Sequence, residues 1–143
     1  MELNKIATGI ELIGTTVKSL VIDNSIVDIA REGKRNFGLN INEPEFQETE
    51  GRWFGQILID FKIEISQAEG QECLIQLSVE GAFLSDGSVD IETFRELVIV
   101  NGAAALIGIA RGKIESITAN IFNNGKVVIP FVNVIDYYKS LSE

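Results

Sequence analysis

Strict alternation of apolar and polar residues in the middle of the chain constrains the fold more than any other feature. Isoleucine or phenylalanine occupies every second position of residues 57–65, and Asp60, Lys62 and Glu64 lie between them. A period of two predicts a strand with one buried and one solvent-exposed face. The same pattern returns in residues 73–79 after a short polar stretch. We therefore predict an antiparallel hairpin.

Two less regular strands are predicted upstream of this hairpin. In residues 37–41, apolar side chains alternate with glycine and asparagine until Pro44 interrupts the pattern, because proline lacks the donor that a ladder needs. Residues 10–22 are also apolar, but the phase changes at residues 14–16, as it does at a β-bulge. Residues 24–34 fit either a helical turn or a loop.

The spacing becomes helical after Asp90, which is a suitable N-cap for a short helix. Asn101 and Gly102 predict a break or kink. A longer helix over residues 103–122 follows, and the Asn-Asn-Gly of residues 123–125 predicts its left-handed end. Its core-facing stripe is predicted to be Leu106, Ala110, Ile114, Ile117 and Ile121.

A row of small residues, Ala104, Gly108 and Gly112, lies on nearly the opposite side of this long helix. Glycine inside a helix costs about 1 kcal/mol relative to alanine, so two of them in one row indicate a neighbour that packs closely. A helix of a second subunit fits this requirement. The alternative is a solvent-facing side that tolerates glycine. We predict a homo-oligomer with this row at its interface.

The last part of the chain combines an extended piece with a short helix. Pro130 keeps its surroundings extended, and Asn133 is a suitable N-cap for a final helix. The predicted fold class is α+β, with a four-stranded antiparallel sheet and a long two-sided helix and a short C-terminal helix packed on one face. A length of 143 residues favours a single domain over residues 1–143.

Composition excludes several kinds of site. The chain has no histidine and one cysteine, Cys73, which excludes zinc sites, imidazole bases and Cys/His nucleophile pairs. We interpret Cys73 as a packing residue, and we expect no metal or cofactor. A net charge of −9 argues against nucleic acid and anionic membranes as partners. We find neither a signal peptide nor, in residues 102–110, a long enough apolar run for a membrane span, so we expect a cytoplasmic protein.

A family resemblance appears at the junction of the long helix and the tail. The motif consists of an Ala-Arg pair in the helix, apolar residues after it, a glycine at the helix end, a proline in the extended piece and Val-Asn before the last helix: Ala110-Arg111, Ile114, Ile117, Gly125, Pro130 and Val132-Asn133. The chain thereby resembles the SecB family of export chaperones and the SecB-like chaperones of toxin–antitoxin systems.

The chain departs from the family pattern at three places. Gly108-Ile109 stands where the family commonly has Pro-Tyr, and Phe131 separates Pro130 from the Val-Asn pair. The chain also ends at Glu143, soon after the last predicted helix, where export-type members carry a tail that contacts the translocase motor.

The resemblance implies a fold of four antiparallel strands with helices on one face, assembled as a dimer of dimers through the long helices. It also implies an ATP-independent holdase, a non-enzymatic chaperone of protein transport that covers apolar segments of unfolded polypeptide in a groove. The candidate groove residues are the large apolar side chains near glycine and proline breaks: Trp53, Phe54, Phe83, Leu84, Ile129, Phe131, Val132, Tyr137 and Tyr138. For each residue alone, core packing is the alternative.

Acidic residues of the hairpin are candidates for a docking face. If the alternation is correct, Asp60, Glu64 and Glu80 project from the sheet face opposite the helices. In the export family an acidic sheet face docks the translocase motor, so a basic partner of this kind is one expectation. A solvated charged face is the alternative.

Three other functions remain open. One is a dedicated chaperone of a single antitoxin or secreted substrate. The second is a carboxylate enzyme or small-ligand carrier, which needs acids that converge on a pocket. The glutamates at positions 43, 45, 48 and 50 instead surround Pro44 in a predicted solvated loop. The third is a structural oligomer without a client.

Overall fold

A computed structural model describes residues 9–85 and 87–142. They form one antiparallel sheet, with helices and an extended tail on one of its faces. The strands are β1 (Ile10–Asn24), β2 (Lys34–Ile41), β3 (Glu45–Thr49), β4 (Arg52–Gln67) and β5 (Gln71–Ser85). Their order is β1-β5-β4-β2, and β3 pairs with β4 as well. The α+β class is confirmed.

The predicted hairpin is the centre of the sheet. In β4 and β5 every odd-numbered residue from position 55 to 65 and from 73 to 85 is buried, while the even-numbered ones are half-buried or exposed. The register keeps Ile59 opposite Val79 and Ile63 opposite Ile75. We call the side that carries these buried residues the inner face and the other side the outer face.

The strand after β2 was missed by sequence reasoning. The segment around Pro44, predicted to be a solvated loop, contains β3, which continues along the same edge of β4 that β2 occupies. The side chains of Glu43, Glu45 and Glu48 are exposed, as that prediction requires, but the backbone of Glu45–Thr49 is paired. One half-buried residue, Phe46, anchors this strand by an edge-to-face contact with Phe94, with ring centroids 5.8 Å apart.

The first strand is long and irregular. β1 pairs only with β5, and its register shifts between Leu12 and Gly14 and again between Val17 and Ser19. The first shift lies where the sequence predicted a bulge, and the second was not predicted. For residues 24–34 the sequence fits either a helical turn or a loop. In the structure Asn24 ends β1 and Lys34 begins β2, and residues 25–33 between them contain no helix and no ladder strand; Asp28 makes an isolated bridge with Asn124.

The first two α-helices and the turn between them form one continuous run of 31 residues from Ile91 to Ile121. Helix α1 (Ile91–Leu97) begins at Asp90, whose side chain accepts a hydrogen bond from the backbone N–H of Thr93. A turn of π-helix (Val98–Gly102) then leads directly into α2 (Ala103–Ile121). The sequence predicted a break or kink at Asn101-Gly102; the helix does not break there, and the irregularity is a π-helical turn.

The run from Ile91 to Ile121 is long and apolar enough to cross a membrane by length and composition, a property that core helices of water-soluble proteins share. In this fold α2 packs on β4 and β5. Its buried residues are Ala103, Leu106, Ile107, Ala110, Ile114 and Thr118. The predicted stripe is right up to Ile114, but Ile117 and Ile121 are only half-buried because Thr118 occupies the core-facing position.

The chain turns sharply after α2 and returns across the sheet as an extended tail. Gly125 has φ +96° at this turn, and a Cβ there would clash with Cγ2 of Ile29. Residues 126–133 contain no helix or strand, as Pro130 predicted. Helix α3 (Val134–Leu141) begins at Asn133, whose side chain accepts a hydrogen bond from the N–H of Asp136. Both predicted N-caps, Asp90 and Asn133, are confirmed.

Two glycine substitutions should have opposite effects on stability. Gly125→Ala places a side chain at a positive φ and against Ile29, so we expect it to destabilise the fold by at least about 1–2 kcal/mol. Gly112→Ala meets no atom within 4 Å and should stabilise the isolated subunit by about 0.5–1 kcal/mol. Urea unfolding of each variant measures both changes, and equal midpoints would contradict the turn geometry described here.

Candidate functional site

An apolar groove lies between the inner face of the sheet at β2 and the extended tail. It has a volume of about 180 Å³, and its described lining consists of Phe37, Gly38, Leu39, Phe61, Ile63, Ile129, Pro130 and Val132. The alternation of β2 and β4 directs the four strand side chains inward, and the tail forms the opposite wall. A cavity of about 150 Å³ with such a lining can hold a benzene ring. The groove therefore has room for one large apolar side chain.

The tail wall is fixed to α2 by two hydrogen bonds. The N–H of Val127 donates to the buried hydroxyl of Thr118 at 2.8 Å, and Nε of Arg111 donates to the carbonyl oxygen of Ile129 at 2.9 Å. The Arg111 guanidinium also lies over the ring of Phe131, 4.2 Å from its centroid. The Ala-Arg pair that carried the family resemblance thus has a role here: its arginine holds the groove wall in place.

Phe131 is the most exposed large apolar residue beside the groove. Its side chain is 89% exposed, although the ring lies under Arg111. Phe37 on the opposite side of the groove is 38% exposed. Large apolar groups left in water next to an apolar groove are typical of binding surfaces.

One end of the groove is closed by α3. The hydroxyl of Tyr137 accepts a hydrogen bond of 2.9 Å from the backbone N–H of Ile41, the last residue of β2. Tyr138 stands edge-to-face against Tyr137, with centroids 5.3 Å apart. Desolvation, and to a smaller extent the charge of Tyr137, raises the pKa of Tyr138, so its hydroxyl stays neutral.

The structure separates the predicted groove residues into three groups. Ile129 and Val132 line the groove, Phe131 lies beside it, and Tyr137 lies at its end; Tyr138 contacts Tyr137 but lines a separate shallow pocket with Ile99 and Val100. Phe83 lies in the core, 1% exposed, with Gly102 against its ring. Trp53 packs half-buried on the inner face, whereas Phe54 and Leu84 are paired on the outer face.

The physical reason for this separation is the pleat of the strands. Trp53 and Phe54 are consecutive, as are Phe83 and Leu84, and consecutive residues of a strand point to opposite faces. One groove cannot receive both members of either pair. Core packing, the alternative interpretation of each residue, is correct for Phe83. Ile129 is also buried, with 4% of its surface exposed.

Sequence reasoning missed the sheet side of the groove. The alternation in the sequence predicts Phe37, Leu39, Phe61 and Ile63 only as members of buried strand faces. They become groove residues because β2 is at the edge of the sheet and α2 packs over β4 and β5. The signal available in the sequence was Phe37, an aromatic residue in a short strand that ends before Pro44.

The row of small residues on α2 is exposed in the single chain. Ala104, Gly108 and Gly112 face away from the core, and a Cβ on either glycine would meet nothing within 4 Å. The inner face of β1 is also uncovered, since Leu12, Val17, Leu20 and Ile22 there are 37–41% exposed. Both surfaces lie on the same side of the sheet.

The three acidic residues do lie on the outer face, as the alternation predicted, and each has a partner there. Asp60 accepts hydrogen bonds from Ser78 and Asn42, Glu64 pairs with Lys62 at 3.7 Å, and Glu80 accepts a weak hydrogen bond from Gln56. Partial burial raises the pKa of Asp60, but hydrogen bonds, led by that from Ser78, outweigh it, so its pKa lies below the ordinary value.

Other reactive groups have structural explanations. Cys73 is 2% exposed in the core, and desolvation, followed by the charge of Asp23, raises the pKa of its thiol. A buried, protonated thiol is unreactive, in agreement with its interpretation as a packing residue. In the described residues, no group of three or more cysteine, aspartate or glutamate side chains is arranged to hold a metal ion.

Comparisons with known proteins identify the fold. No protein-family model matches the chain, and no curated protein matches it. Among solved structures, a SecB-like chaperone of Mycobacterium tuberculosis, determined in complex with a ChAD peptide from an antitoxin, superimposes with a TM-score of 0.60 at 11% sequence identity. The match covers 91% of this chain and 95% of that one. The chain has a SecB-like fold.

A second solved structure is less similar to this chain. It is a protein of unknown function from Streptococcus agalactiae, with a TM-score of 0.44 and 10% identity over 85% of this chain and 97% of that one.

Acidic pH should destabilise the folded chain because it protonates Asp60 on the outer face. Because its pKa is lower in the folded chain than in the unfolded one, ionised Asp60 stabilises the fold above about pH 4, and this contribution is lost as the pH falls through the folded-state pKa. We expect Asp60→Asn to show a smaller loss of stability on acidification than the unaltered chain. Urea unfolding between neutral pH and pH 3 measures it. Ser78→Ala, which removes one hydrogen-bond donor to Asp60, should give an intermediate loss of stability with falling pH. Parallel curves of stability against pH for the three proteins would contradict this role of Asp60.

Proposed function

We propose that this protein is an ATP-independent holdase that binds extended segments of unfolded polypeptide in the apolar groove between β2 and the tail. The observation that carries the proposal is the groove itself, with Phe37 and Phe131 exposed beside it. The SecB-like fold supports the same function, because the similar chaperone from Mycobacterium tuberculosis was determined in complex with a peptide.

The chemistry of the groove suits a holdase better than an enzyme or a small-ligand carrier. Its described lining is apolar throughout, so it offers no general acid or base, and it favours apolar side chains without selecting one in particular. The glutamates near Pro44, considered as a carboxylate site, are exposed on and around β3 and do not converge. We therefore propose a non-enzymatic function that requires no cofactor.

The proposed active form is a homo-oligomer, a dimer or a dimer of dimers. The exposed apolar face of β1 and the row of small residues on α2 lie on one side of the sheet, where the helix of a second copy can approach closely. β1 is also an edge strand of 15 residues with one partner, a surface that proteins seldom leave uncovered. Burial of both features by a second copy supports this arrangement.

A dedicated chaperone is the second candidate. The similar structure from Mycobacterium tuberculosis contains a peptide from an antitoxin, which favours a single antitoxin client over many export clients. We further propose a cytoplasmic location and keep docking of a basic partner, such as a translocase motor, on the outer face as a proposal. The internal partners of Asp60, Glu64 and Glu80 favour a structural role for these carboxylates over docking.

Loss of the exposed ring beside the groove should weaken client binding. Phe131→Ala removes an 89% exposed side chain, so stability should change by less than about 0.5 kcal/mol, while affinity for an unfolded client should fall about 5- to 20-fold. Suppression of the aggregation of a chemically denatured protein, without ATP, measures the activity.

Leu141→Ala is the matched control, because Leu141 is 64% exposed on α3 and does not line the groove. It should retain full activity. Failure of the unaltered chain to suppress aggregation would refute the holdase and favour a structural oligomer. Peptides that copurify with the protein would separate a dedicated client from general clients, and equal activity of both variants would remove Phe131 from the site.

A bulky residue in the row of small residues should prevent self-association. Gly108→Leu leaves the subunit fold intact, since nothing lies within 4 Å of the position where its Cβ would be, but it fills the space that a second helix would need. We expect light scattering at micromolar concentration to show an oligomer for the unaltered chain and a smaller species for this variant. A monomer in both cases would refute the proposed assembly.

A further inference from the structure

We propose that the client joins the sheet as an added strand on the free edge of β2, with apolar side chains at alternate positions and an acidic residue opposite Arg35. This inference rests on the proposed holdase function and specifies the chemistry of the segment that the site receives. It follows from the hydrogen-bonding pattern of β2 and from the charge at one end of the groove.

The backbone of β2 has one bonded side and one free side. Asn42 continues the ladder by donating its N–H to the carbonyl oxygen of Leu58, which places the even-numbered residues of β2 in hydrogen bonds with β4. The odd-numbered residues therefore direct N–H and C=O outward. Ile41 shows this directly, because its N–H donates away from the sheet to Tyr137.

Three outward-facing residues remain without backbone partners in the part of the chain that the structure describes: Arg35, Phe37 and Leu39. The side chains of Phe37 and Leu39 line the groove from the inner face. A strand placed against this edge would form hydrogen bonds to these residues and direct its own alternate side chains toward the same groove. Backbone pairing supplies affinity and the groove supplies selectivity, as in other cases of strand addition.

Arg35 places a positive charge on β2 just beyond the apolar lining of the groove. It precedes Phe37 by two residues, so its side chain projects from the same face of β2. Its Nη2 donates to the carbonyl oxygen of Ala30 at 3.3 Å, whereas Nε is buried without a hydrogen-bond partner. No carboxylate of residues 9–85 and 87–142 forms an ion pair with it. An acidic side chain on the added strand would supply the missing counter-charge.

The antiparallel sheet sets the direction of the client. A strand antiparallel to β2 meets Leu39 first, Phe37 two residues later and Arg35 two residues after that, and Tyr137 blocks extension past Ile41. The segment is therefore apolar-x-apolar-x-acidic from its N-terminus to its C-terminus. The probe is the synthetic peptide acetyl-Ser-Leu-Thr-Phe-Thr-Glu-Ser-amide.

Amide hydrogen exchange followed by NMR tests the pairing. Addition of the peptide should slow exchange at Phe37 and Leu39 by about tenfold or more, and should change Gly38 and Asn40 little because β4 already protects them. N-methylation of the peptide phenylalanine, whose N–H faces β2, should weaken binding about tenfold. N-methylation of the threonine before it, whose N–H faces away, is the matched control and should have an effect of about twofold or less.

Replacement of the peptide glutamate by glutamine tests the charge without altering the protein. We expect affinity to fall about 5- to 10-fold with the unaltered chain and to stay the same with Arg35→Gln. If the chain suppresses aggregation but the alternating protection or the glutamate effect is absent, strand addition as proposed here is wrong and the holdase function stands. If the chain neither suppresses aggregation nor binds the peptide, both are wrong.

Discussion

The packing of α2 on the inner faces of β4 and β5 is the interaction on which the rest of the structure depends. Leu106, Ala110 and Ile114 of the helix and Ile59 and Val79 of the strands are 0–1% exposed. Each fully buried leucine, isoleucine or valine side chain contributes about 1.5–3 kcal/mol. This layer orders the tail as well, because Thr118 and Arg111 hold it from α2.

The groove results from a difference in width between the two layers. A helix with its side chains is about 10–12 Å across, whereas four strands at about 4.8 Å each extend further. Since α2 covers β4 and β5, the inner faces of β1 and β2 remain as margins. The tail covers the β2 margin incompletely, which leaves the groove. Nothing in the described chain covers the β1 margin, where Leu12 and Leu20 are exposed. We thus propose client binding at the β2 margin and self-association at the β1 margin, the two parts of the inner face that α2 does not cover.

Much of this architecture could be predicted from local patterns. The alternation in residues 57–65 and 73–79 predicted the central hairpin, and Asp90 and Asn133 predicted two helix starts, because each of these signals acts over a few residues. β3 was missed since its five residues carry one half-buried side chain, Phe46, and its pairing depends on β4. The lining of the groove was largely missed for a similar reason. Strand order decides that Phe37 lies at an edge, and no local pattern encodes strand order.

The π-helical turn between α1 and α2 has a consequence for how the chain can vary. The N–H of Ala103 donates to the carbonyl oxygen of Val98, five residues back, so this turn holds one residue more than an α-helical turn. The extra residue lets Phe94 and Val98 before it, and Ala103 and Leu106 after it, all face the sheet. Removal of a single residue here would rotate everything downstream by about 100°, swinging Arg111 away from the tail. The spacing between Asp90 and Gly125 is therefore a fixed length in this molecule, and homologous chains that keep the groove should tolerate substitutions in this stretch far better than insertions or deletions.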